Sequence, residues 1–277
     1  MKIAGVVVLY NPNIKEVVRN ILSYTEFLEK IYIVDNSKKN NEKEIKKKLG
    51  LLSKMEYIWF GENKGIAKAL NEGKNRAILE EFEYLLTMDQ DSYFDNNLLK
   101  LIKYIENNKE SLKNIGIISP NHLLRGRYHN LQEKIEQKKG VMTSGNFLNL
   151  DIAKNIGDFN EEFFIDEVDA EYCYRLNKKG YKIIVYHNCE LYHNLGDIKW
   201  YFFIKVTNHN YIRRYYITRN KLYMMKTFSE VRIKYFITFF YDLFKIVIFE
   251  KDKKRKLNSI RKGILDFFMN KTGKYEV

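Results

Sequence analysis

Two aspartates one residue apart, Asp89 and Asp91, follow an apolar run at 84–88. Strand alternation sends both side chains to the same side. Carboxylates presented in this way suit Mg²⁺ or Mn²⁺ that bridges two phosphates, with substrate and water completing the coordination. The same residue types are also typical of a turn, because Asp and Ser favour turns. The pair therefore indicates either a metal-bound diphosphate site or an ordinary turn.

Four acidic residues precede Arg175 in the segment 163–176. If a helix begins near residue 168, Asp169 lies in line with the buried stripe of that helix. An aspartate in the first turn interacts with the helix N-terminus, which keeps it ionised and able to accept a proton. Asp169 is therefore a candidate general base or a simple N-terminal acid. Glu171 and Arg175 are four residues apart, so they form either a surface ion pair or part of a site.

A third polar segment contains Asn63, Gly65 and Lys68. Gly65 opens a predicted helix whose backbone N–H groups could face an anion, with Lys68 one turn further along. The segment lacks the GxxxxGK[ST] and GxGxxG patterns, which excludes a P-loop and a dinucleotide fingerprint, and Gly65 could equally be a turn residue. His193 follows a short predicted strand and is either a late metal ligand or a structural histidine.

These candidates lie where predicted strands end. The first part of the chain alternates strands and helices, with strands at 3–9, 31–34, 57–60 and 84–88, helices at 14–29 and 66–81, and a lysine-rich helix or loop at 41–49. The alternation predicts a mostly parallel, doubly wound sheet that binds ligands beyond the carboxyl ends of its strands. The later elements are a helix at 95–108, a strand at 115–119, a loop at 120–140, a strand at 141–150, a helix at 166–179, strands at 182–186 and 189–193, and helical structure from 210 onward.

The net charge of +13 belongs entirely to the end of the chain. Residues 1–198 carry 29 Lys and Arg and 29 Asp and Glu, whereas residues 199–277 carry 19 and 6. A balanced body followed by a basic tail indicates chemistry in the first part and attachment to an anionic surface in the second. Cys173 and Cys189 have no partners at metal or redox spacing and are expected to be reduced core residues. Nothing at the N-terminus indicates export, so a cytoplasmic enzyme is expected.

The tail contains a segment, 235–249, in which twelve of fifteen residues are apolar. The exceptions, Thr238, Asp242 and Lys245, fall on one narrow stripe of a helix. A helix of this length is too short to span a bilayer but long enough to lie in the membrane interface. The basic run at 251–256 would then favour anionic headgroups. The alternatives are packing on the catalytic domain or on a second subunit of a homodimer.

Six motifs occur in one order along residues 1–225, namely Val7-Val-Leu-Tyr-Asn-Pro12, Val34-Asp-Asn-Ser37, Asn63 to Gly73, Leu86-Thr-Met-Asp-Gln-Asp-Ser92, Ser144-Gly-Asn146 and Phe163 to Arg175. In this order they resemble the inverting family 2 glycosyltransferases of the GT-A fold, and within them the bacterial rhamnosyltransferases. The resemblance implies an α/β, Rossmann-like catalytic domain at 1–225 with a helical C-terminal extension at 226–277.

The resemblance also implies a division of roles. Asp35 contacts the base of the donor nucleotide. Asp91 is the direct metal ligand, Asp89 contacts the ribose or supports the metal indirectly, and His193 is a further candidate ligand of Mn²⁺ or Mg²⁺. The other residues implied in donor binding are Tyr10, Asn11, Asn63, Gly65, Lys68 and Gln90. The residues implied at the acceptor are Asn146, Asp166, Glu171 and Arg175.

The base follows from a gapless alignment with the family's acidic motif, which places the base on Asp169 and the second acid on Glu171. Val168 stands where the family usually has Glu, which leaves open whether Asp166 or Glu167 shares the role. The implied reaction is one in-line displacement at the anomeric carbon, with inversion. Asp169 takes the proton from the acceptor hydroxyl as the metal offsets charge on the departing diphosphate.

The resemblance favours dTDP-L-rhamnose over a UDP-sugar as donor. The membrane-seeking tail suggests a lipid-linked saccharide as acceptor, in cell-surface polysaccharide synthesis on the inner face of the cell membrane. A sugar-nucleotide nucleotidyltransferase is disfavoured because the segment after the first strand lacks a Gly-rich signature with Arg and Lys. A non-enzymatic alternative is a membrane or nucleic-acid adaptor that uses the basic tail alone. It leaves the acids at the strand and helix ends unexplained, so no nucleic-acid partner is expected.

Overall fold

The computed structural model describes residues 1–50, 53–124, 134–193, 198–201 and 204–275. The strands are β1 (Ile3–Leu9), β2 (Lys30–Asp35), β3 (Met55–Trp59), β4 (Tyr84–Asp89), β5 (Ser92–Phe94), β6 (Ile115–Leu124), β7 (Ile135–Lys138), β8 (Asn146–Asn149), β9 (Lys182–His193), β10 (Ile198–Tyr201) and β11 (Ile204–Thr207). The helices are α1 (Ile14–Leu22), α2 (Glu42–Leu49), α3 (Ile66–Leu79), α4 (Leu98–Asn107), α5 (Leu150–Ile156), α6 (Val168–Lys178), α7 (Tyr211–Thr227), α8 (Arg232–Ile248) and α9 (Lys253–Phe268). Short 3-10 turns lie at Thr25–Phe27, Glu161–Phe163 and Ser229–Val231.

One large sheet has the strand order β3-β2-β1-β4-β8-β6-β9-β5, with β7 added to β9. The first four strands are parallel, which confirms the α/β prediction for this half. Around β8 the sheet is mixed, because β8 runs antiparallel to both β4 and β6. The register sets Leu9 opposite Asp35 and Val8 opposite Asp89, so the predicted donor and metal residues share one edge of the sheet.

β1 is a continuous apolar run because helices pack on both faces of the sheet. Its alternate residues enter two separate core clusters, one packed with α1 and α4 and the other with α3, α5 and α6. Gly73 of α3 packs closely on β1, since a Cβ atom there would lie 2.4 Å from Val6 Cγ2. Cys173 and Cys189 are both free and buried, as predicted.

Several predicted boundaries were wrong. The strand of β4 ends at Asp89, and residues 90–91 form a turn, so strand alternation does not extend to Asp91. The predicted loop at 120–140 contains the end of β6 and all of β7. The predicted strand at 141–150 is limited to β8, and α5 begins at Leu150. The two strands predicted at 182–193 are one, because a register shift near Pro120 lets β9 continue along β6.

The end of the chain is helical, as predicted from residue 210 onward, and its helices are α7, α8 and α9. The predicted boundary at 225/226 falls inside α7, which packs mainly on α9. Arg219 and Asn220 of α7 are fully buried and donate to the backbone carbonyls of residues 162–166. The helical extension therefore begins at Tyr211 and supports the segment that leads into Asp169.

Candidate active site

Asp89 is the last residue of β4 and Asp91 is the second residue of the turn that follows, and both are half-buried. The Asp89 N–H donates to Ser144 Oγ at 3.0 Å, which ties the turn to the segment before β8. Among the described residues, no group of three or more His, Cys, Asp or Glu could hold a metal alone. Mg²⁺ is commonly held by one or two carboxylates together with substrate phosphates and water. The two carboxylates fit such a cation when a diphosphate completes the site.

His193 was predicted as a further metal ligand. Its backbone pairs with Ser92, the residue after Asp91, in the β5–β9 ladder. Its side chain lies outside the part of the chain that the structure describes.

Gln90 connects the turn at residues 90–91 to the loop after β1. Its Oε1 accepts from the Tyr10 N–H at 2.8 Å, and its Nε2 donates to the Tyr10 carbonyl at 3.1 Å. The Gln90 carbonyl accepts from Asn20 Nδ2 at 2.9 Å, which adds a support from α1. These bonds use the Gln90 side chain within the protein and leave the Tyr10 ring half-exposed at the rim of the site.

Asp35 shapes the loop after β2 from within. Its carboxylate is fully buried and accepts from the Ser37 N–H at 3.0 Å, from Asn41 Nδ2 at 2.9 Å and from the Tyr57 hydroxyl. Ser37 Oγ in turn accepts from the N–H of Asn11 at 2.8 Å. Asp35 therefore orders the loop beside which a donor base would lie, and direct contact between Asp35 and that base stays a prediction.

Asn36 joins the loops after β2 and β3, and its role was missed from the sequence. Its Oδ1 accepts from the Lys64 N–H at 2.7 Å, and its Nδ2 donates to Asn63 Oδ1 at 3.0 Å and to the Gly65 carbonyl at 3.1 Å. The signal was available, since Asn36 is a polar residue directly after a buried strand. Asn63 Oδ1 also accepts from the Gly65 N–H, so the Asn63 side chain helps to hold the loop after β3 in place.

Gly65 lets the start of α3 approach the segment before Asp169. Its φ is +88°, and a Cβ atom would lie 2.7 Å from the Phe164 carbonyl oxygen. That oxygen accepts from the Ile66 N–H at 2.8 Å. Lys68 is paired with Glu161 at 3.3 Å. The Ile66 N–H and the Lys68 ammonium, both expected to face an anion, therefore contact the protein itself.

The segment before Asp169 is strained. Phe164, Asp166 and Glu167 all have φ between +62° and +64°, a region that non-glycine residues rarely adopt. Asn220 stabilises this backbone by donating to three of its carbonyls at 2.8–3.0 Å. Clustered outliers of this kind persist where the surrounding structure holds them, and they are common at active sites.

Asp169 stands at the junction of two clefts. One, of about 620 Å³, is also lined by His122, His187 and Lys234. The other, of about 300 Å³, is also lined by His209 and by residues of the helical extension, such as Lys221 and Asp242. Asp169 Oδ1 accepts from the Ala170 N–H at 2.8 Å. Burial raises the pKa of Asp169, and so does the Asp166 charge, whereas Arg213 and the backbone bond lower it.

Arg213 is the residue that reasoning from the sequence most clearly missed. It donates from α7 to both carboxylate oxygens of Asp166. Burial lowers its pKa, but the charges of Asp166, Asp89 and Asp169 outweigh this and raise it. Arg213 therefore lies within electrostatic reach of both Asp89 and the candidate base, Asp169. It was counted with the basic tail, because nothing local in the sequence links it to Asp166.

Glu167, left open as a second base, adjoins the helical extension. Its carboxylate accepts from the Tyr235 hydroxyl of α8. Burial raises the pKa of Glu167 to about 7, and the bond from Tyr235 lowers it. Glu167 is thus held by Tyr235, a residue 68 positions further along the chain, and no local sequence pattern could indicate this contact.

The predicted acceptor residues have different environments. Glu171 and Arg175 form a two-point ion pair at 2.7 and 2.8 Å, and Arg175 also donates to the Ile156 and Asp158 carbonyls. The two residues therefore do pair, with the Glu171 side chain buried and not at the surface, and the pair connects α6 to the segment after α5, while a role at the acceptor stays a prediction. Asn146 is buried, and its Oδ1 has no partner among the described residues.

Comparison with known proteins supplies independent information. A family model described as Glycosyl transferase family 2 matches residues 6–157. The dTDP-rhamnosyl transferase RfbF of Shigella flexneri is 27% identical over 283 residues, covering 95% of this chain and 93% of that protein.

Solved structures resemble the fold at low sequence identity. S. aureus TarS 1-349 in complex with UDP-GlcNAc has a TM-score of 0.59 and 16% identity, covering 95% of this chain and 81% of that one. GalNAc-T7 with UDP, GalNAc and Mn²⁺ has a TM-score of 0.58 and 13% identity, covering 70% of this chain. The match covers 44% of the GalNAc-T7 chain, less than half of its length.

Proposed function

This chain belongs to glycosyl transferase family 2, and we propose that it transfers L-rhamnose from dTDP-L-rhamnose to a hydroxyl of a saccharide acceptor. Its fold is GT-A, as the motifs predicted, and it is a glycosyltransferase, so the adaptor alternative was wrong. The choice of donor is supported by the name of the RfbF relative, which aligns over nearly the whole of both chains. A UDP-sugar is the alternative donor, since TarS, with a similar fold, was solved with UDP-GlcNAc.

The observation that carries the proposed mechanism is the position of Asp169 at the meeting of two clefts. A base that lines an open cleft can take a proton from a hydroxyl group bound there. The raised pKa of Asp169 makes it a stronger base than an exposed aspartate. Attack from the face opposite the leaving diphosphate inverts the anomeric centre.

Asp89 and Asp91 are proposed to hold Mn²⁺ or Mg²⁺, whose charge would stabilise the departing diphosphate. Asp91 is proposed as the direct ligand. Asp35, Asn36 and Gln90 are proposed to order the loops that receive the nucleotide. Asp35 holds the loop after β2 from within, whereas Asn36 and Gln90 bond to neighbouring loops.

The acceptor is proposed to be a lipid-linked saccharide, with the enzyme on the cytoplasmic face of the cell membrane. Its supports are the cleft at Asp169 and the apolar surface of α8 that begins beside it. None of the helices in the described ranges is long and apolar enough to cross a membrane.

Thermal unfolding in the presence of sugar nucleotides tests the donor. We expect dTDP-L-rhamnose with Mn²⁺ or Mg²⁺ to raise the midpoint more than UDP-GlcNAc, UDP-glucose or dTDP alone. The shift should disappear with EDTA. A larger shift with a UDP-sugar would replace dTDP-L-rhamnose as the donor, and equal shifts without any metal would contradict the metal site.

A further inference from the structure

We infer that the outer face of α8 docks on an anionic lipid surface. This face consists of eight exposed apolar side chains, Ile233, Phe236, Ile237, Phe240, Tyr241, Phe244, Val247 and Ile248. Their spacing of three and four residues puts them on one side of the helix along its whole length. Exposed patches of more than roughly a few hundred Å² are uncommon on proteins that work alone in water.

The helix is oriented opposite to an ordinary surface helix. Its polar stripe faces the protein, where Asp242 contacts Lys221 of α7 at 2.7 Å and Lys245 of its own helix at 2.7 Å. Tyr235, also on the inner side, is buried against Glu167. Because polar contacts fix the inner face, rotating α8 to bury its apolar side would break them. The apolar face is therefore a property of the folded state.

Charge at both ends of α8 identifies the partner. Arg232 and Lys234 are exposed at its start, and Lys251, Lys253, Lys254 and Arg255 are exposed just after its end. Asp242, the one acidic residue within α8, is paired inward, and at the far end the cations outnumber the exposed Asp252. Apolar side chains flanked by cations match the hydrocarbon edge and the headgroups of an anionic bilayer.

A second copy of the chain fits this surface less well. In a twofold dimer the outer face of α8 would pack on the same face of the other subunit. Because both ends of α8 carry cations, cations of one subunit would then lie against cations of the other. Docking on lipid has a consequence for the proposed function. Lys234 and Tyr235 line the cleft at Asp169, so the cleft opens at the headgroup level, where a lipid-linked acceptor would present its sugar.

Vesicle flotation of the full chain tests the inference, using phosphatidylcholine vesicles with and without phosphatidylglycerol. We expect flotation with the anionic vesicles and little with phosphatidylcholine alone. The triple variant Phe236→Ser, Phe240→Ser, Phe244→Ser should lower the partition coefficient by at least about tenfold. The matched control replaces three exposed leucines elsewhere, Leu22→Ser, Leu79→Ser and Leu99→Ser, and should float as the native chain does.

Charge-reversal variants test the electrostatic part of vesicle binding separately from the apolar face. Lys251→Glu, Lys254→Glu and Arg255→Glu together should lower partitioning by about fivefold or more for each charge, since a cation near the surface contributes on the order of 1 kcal/mol. Lys43→Glu, Lys47→Glu and Lys48→Glu on α2, equally exposed, should have little effect.

Three outcomes would overturn the inference. These are no flotation of the native chain, unchanged flotation of the phenylalanine variant, or a native dimer in sedimentation velocity that this variant alone converts to a monomer. The assay contains no sugar donor, so its failure is distinct from failure of the proposed glycosyl transfer.

Discussion

The guanidinium of Arg213 contacts both carboxylate oxygens of Asp166, with Nε 3.1 and 3.2 Å from the two oxygens and Nη2 2.9 Å from Oδ1. This pair joins the helical extension to the strained segment before Asp169. The two charges act on Asp169 in opposite directions, since Asp166 raises its pKa and Arg213 lowers it.

Removing each charge should therefore move the pH profile in opposite directions. Turnover rises with pH as Asp169 loses its proton. Arg213→Gln should raise the pKa of Asp169 and move this limb to higher pH, whereas Asp166→Asn should lower the pKa and move the limb to lower pH. The measurement is the pH dependence of donor hydrolysis, with water as acceptor. Arg76→Gln on α3 is the control, and a shift of both variants in the same direction would refute the assignment.

Gly65→Ala should disturb the site as well as stability. The residue has φ +88°, and its new Cβ atom would meet the Phe164 carbonyl at 2.7 Å. Gly180 is a matched control, since its φ is +85° but a Cβ atom there would have no described atom within 4 Å. Both variants should lose about 1–2 kcal/mol of unfolding free energy from the backbone. Only Gly65→Ala should also slow donor hydrolysis, and equal hydrolysis rates would argue against the contact.

Glu167 should make stability fall with rising pH. Its pKa is about 7 in the folded protein against 4.5 for the ordinary group, so the folded state holds a proton that the unfolded chain releases. The free energy of unfolding should fall between about pH 4.5 and 7 and then level off, by about 1.4 kcal/mol per unit of pKa difference. Glu167→Gln should remove this component of the thermal unfolding profile. Tyr235→Phe should extend it upward, because the bond from Tyr235 lowers the pKa.

The control for this profile is Glu26→Gln, which removes an exposed carboxylate away from the site. A native profile that Glu167→Gln leaves unchanged would show that Glu167 does not hold the proton.

Arg175→Ala should chiefly destabilise the fold. The change leaves the Glu171 carboxylate, 7% exposed, without its partner, and breaking a buried pair in this way costs about 3–5 kcal/mol. Asp151→Ala breaks the exposed pair with Lys154 and should cost about 0–1 kcal/mol. Urea unfolding measures both. If Arg175→Ala unfolds as the native chain does, while KM for an acceptor rises, the predicted acceptor role would replace the structural one.

Local sequence patterns predicted the elements and residues that depend on near neighbours. The apolar runs of β1 and β4 predicted the parallel half of the sheet, and the acids and amides after β2, β3 and β4 lie at its carboxyl edge, as expected. The position of Asp169 in the first turn of α6 also followed from spacing.

Long-range contacts could not be predicted in the same way. Arg213 and Asp166 are 47 residues apart, and Tyr235 and Glu167 are 68 apart, so no periodicity connects them. The turn at residues 90–91 was misjudged because the alternation of β4, which ends at Asp89, was extended two residues too far, to Asp91. The sequence showed that the polar residues of α8 form one stripe. It could not show that this stripe faces the protein, because that orientation depends on the contact between Asp242 and Lys221 of α7.

The central claim, that Asp169 is the base and Asp91 the metal ligand, is tested most directly by comparing donor binding with donor hydrolysis in two variants. Asp169→Asn should bind dTDP-L-rhamnose with Mn²⁺ as the native chain does in calorimetry, yet hydrolyse it about 10²–10⁴-fold more slowly. Asp91→Ala should lose the metal-dependent part of binding as well. Near-native hydrolysis by Asp169→Asn, with binding intact, would contradict the account.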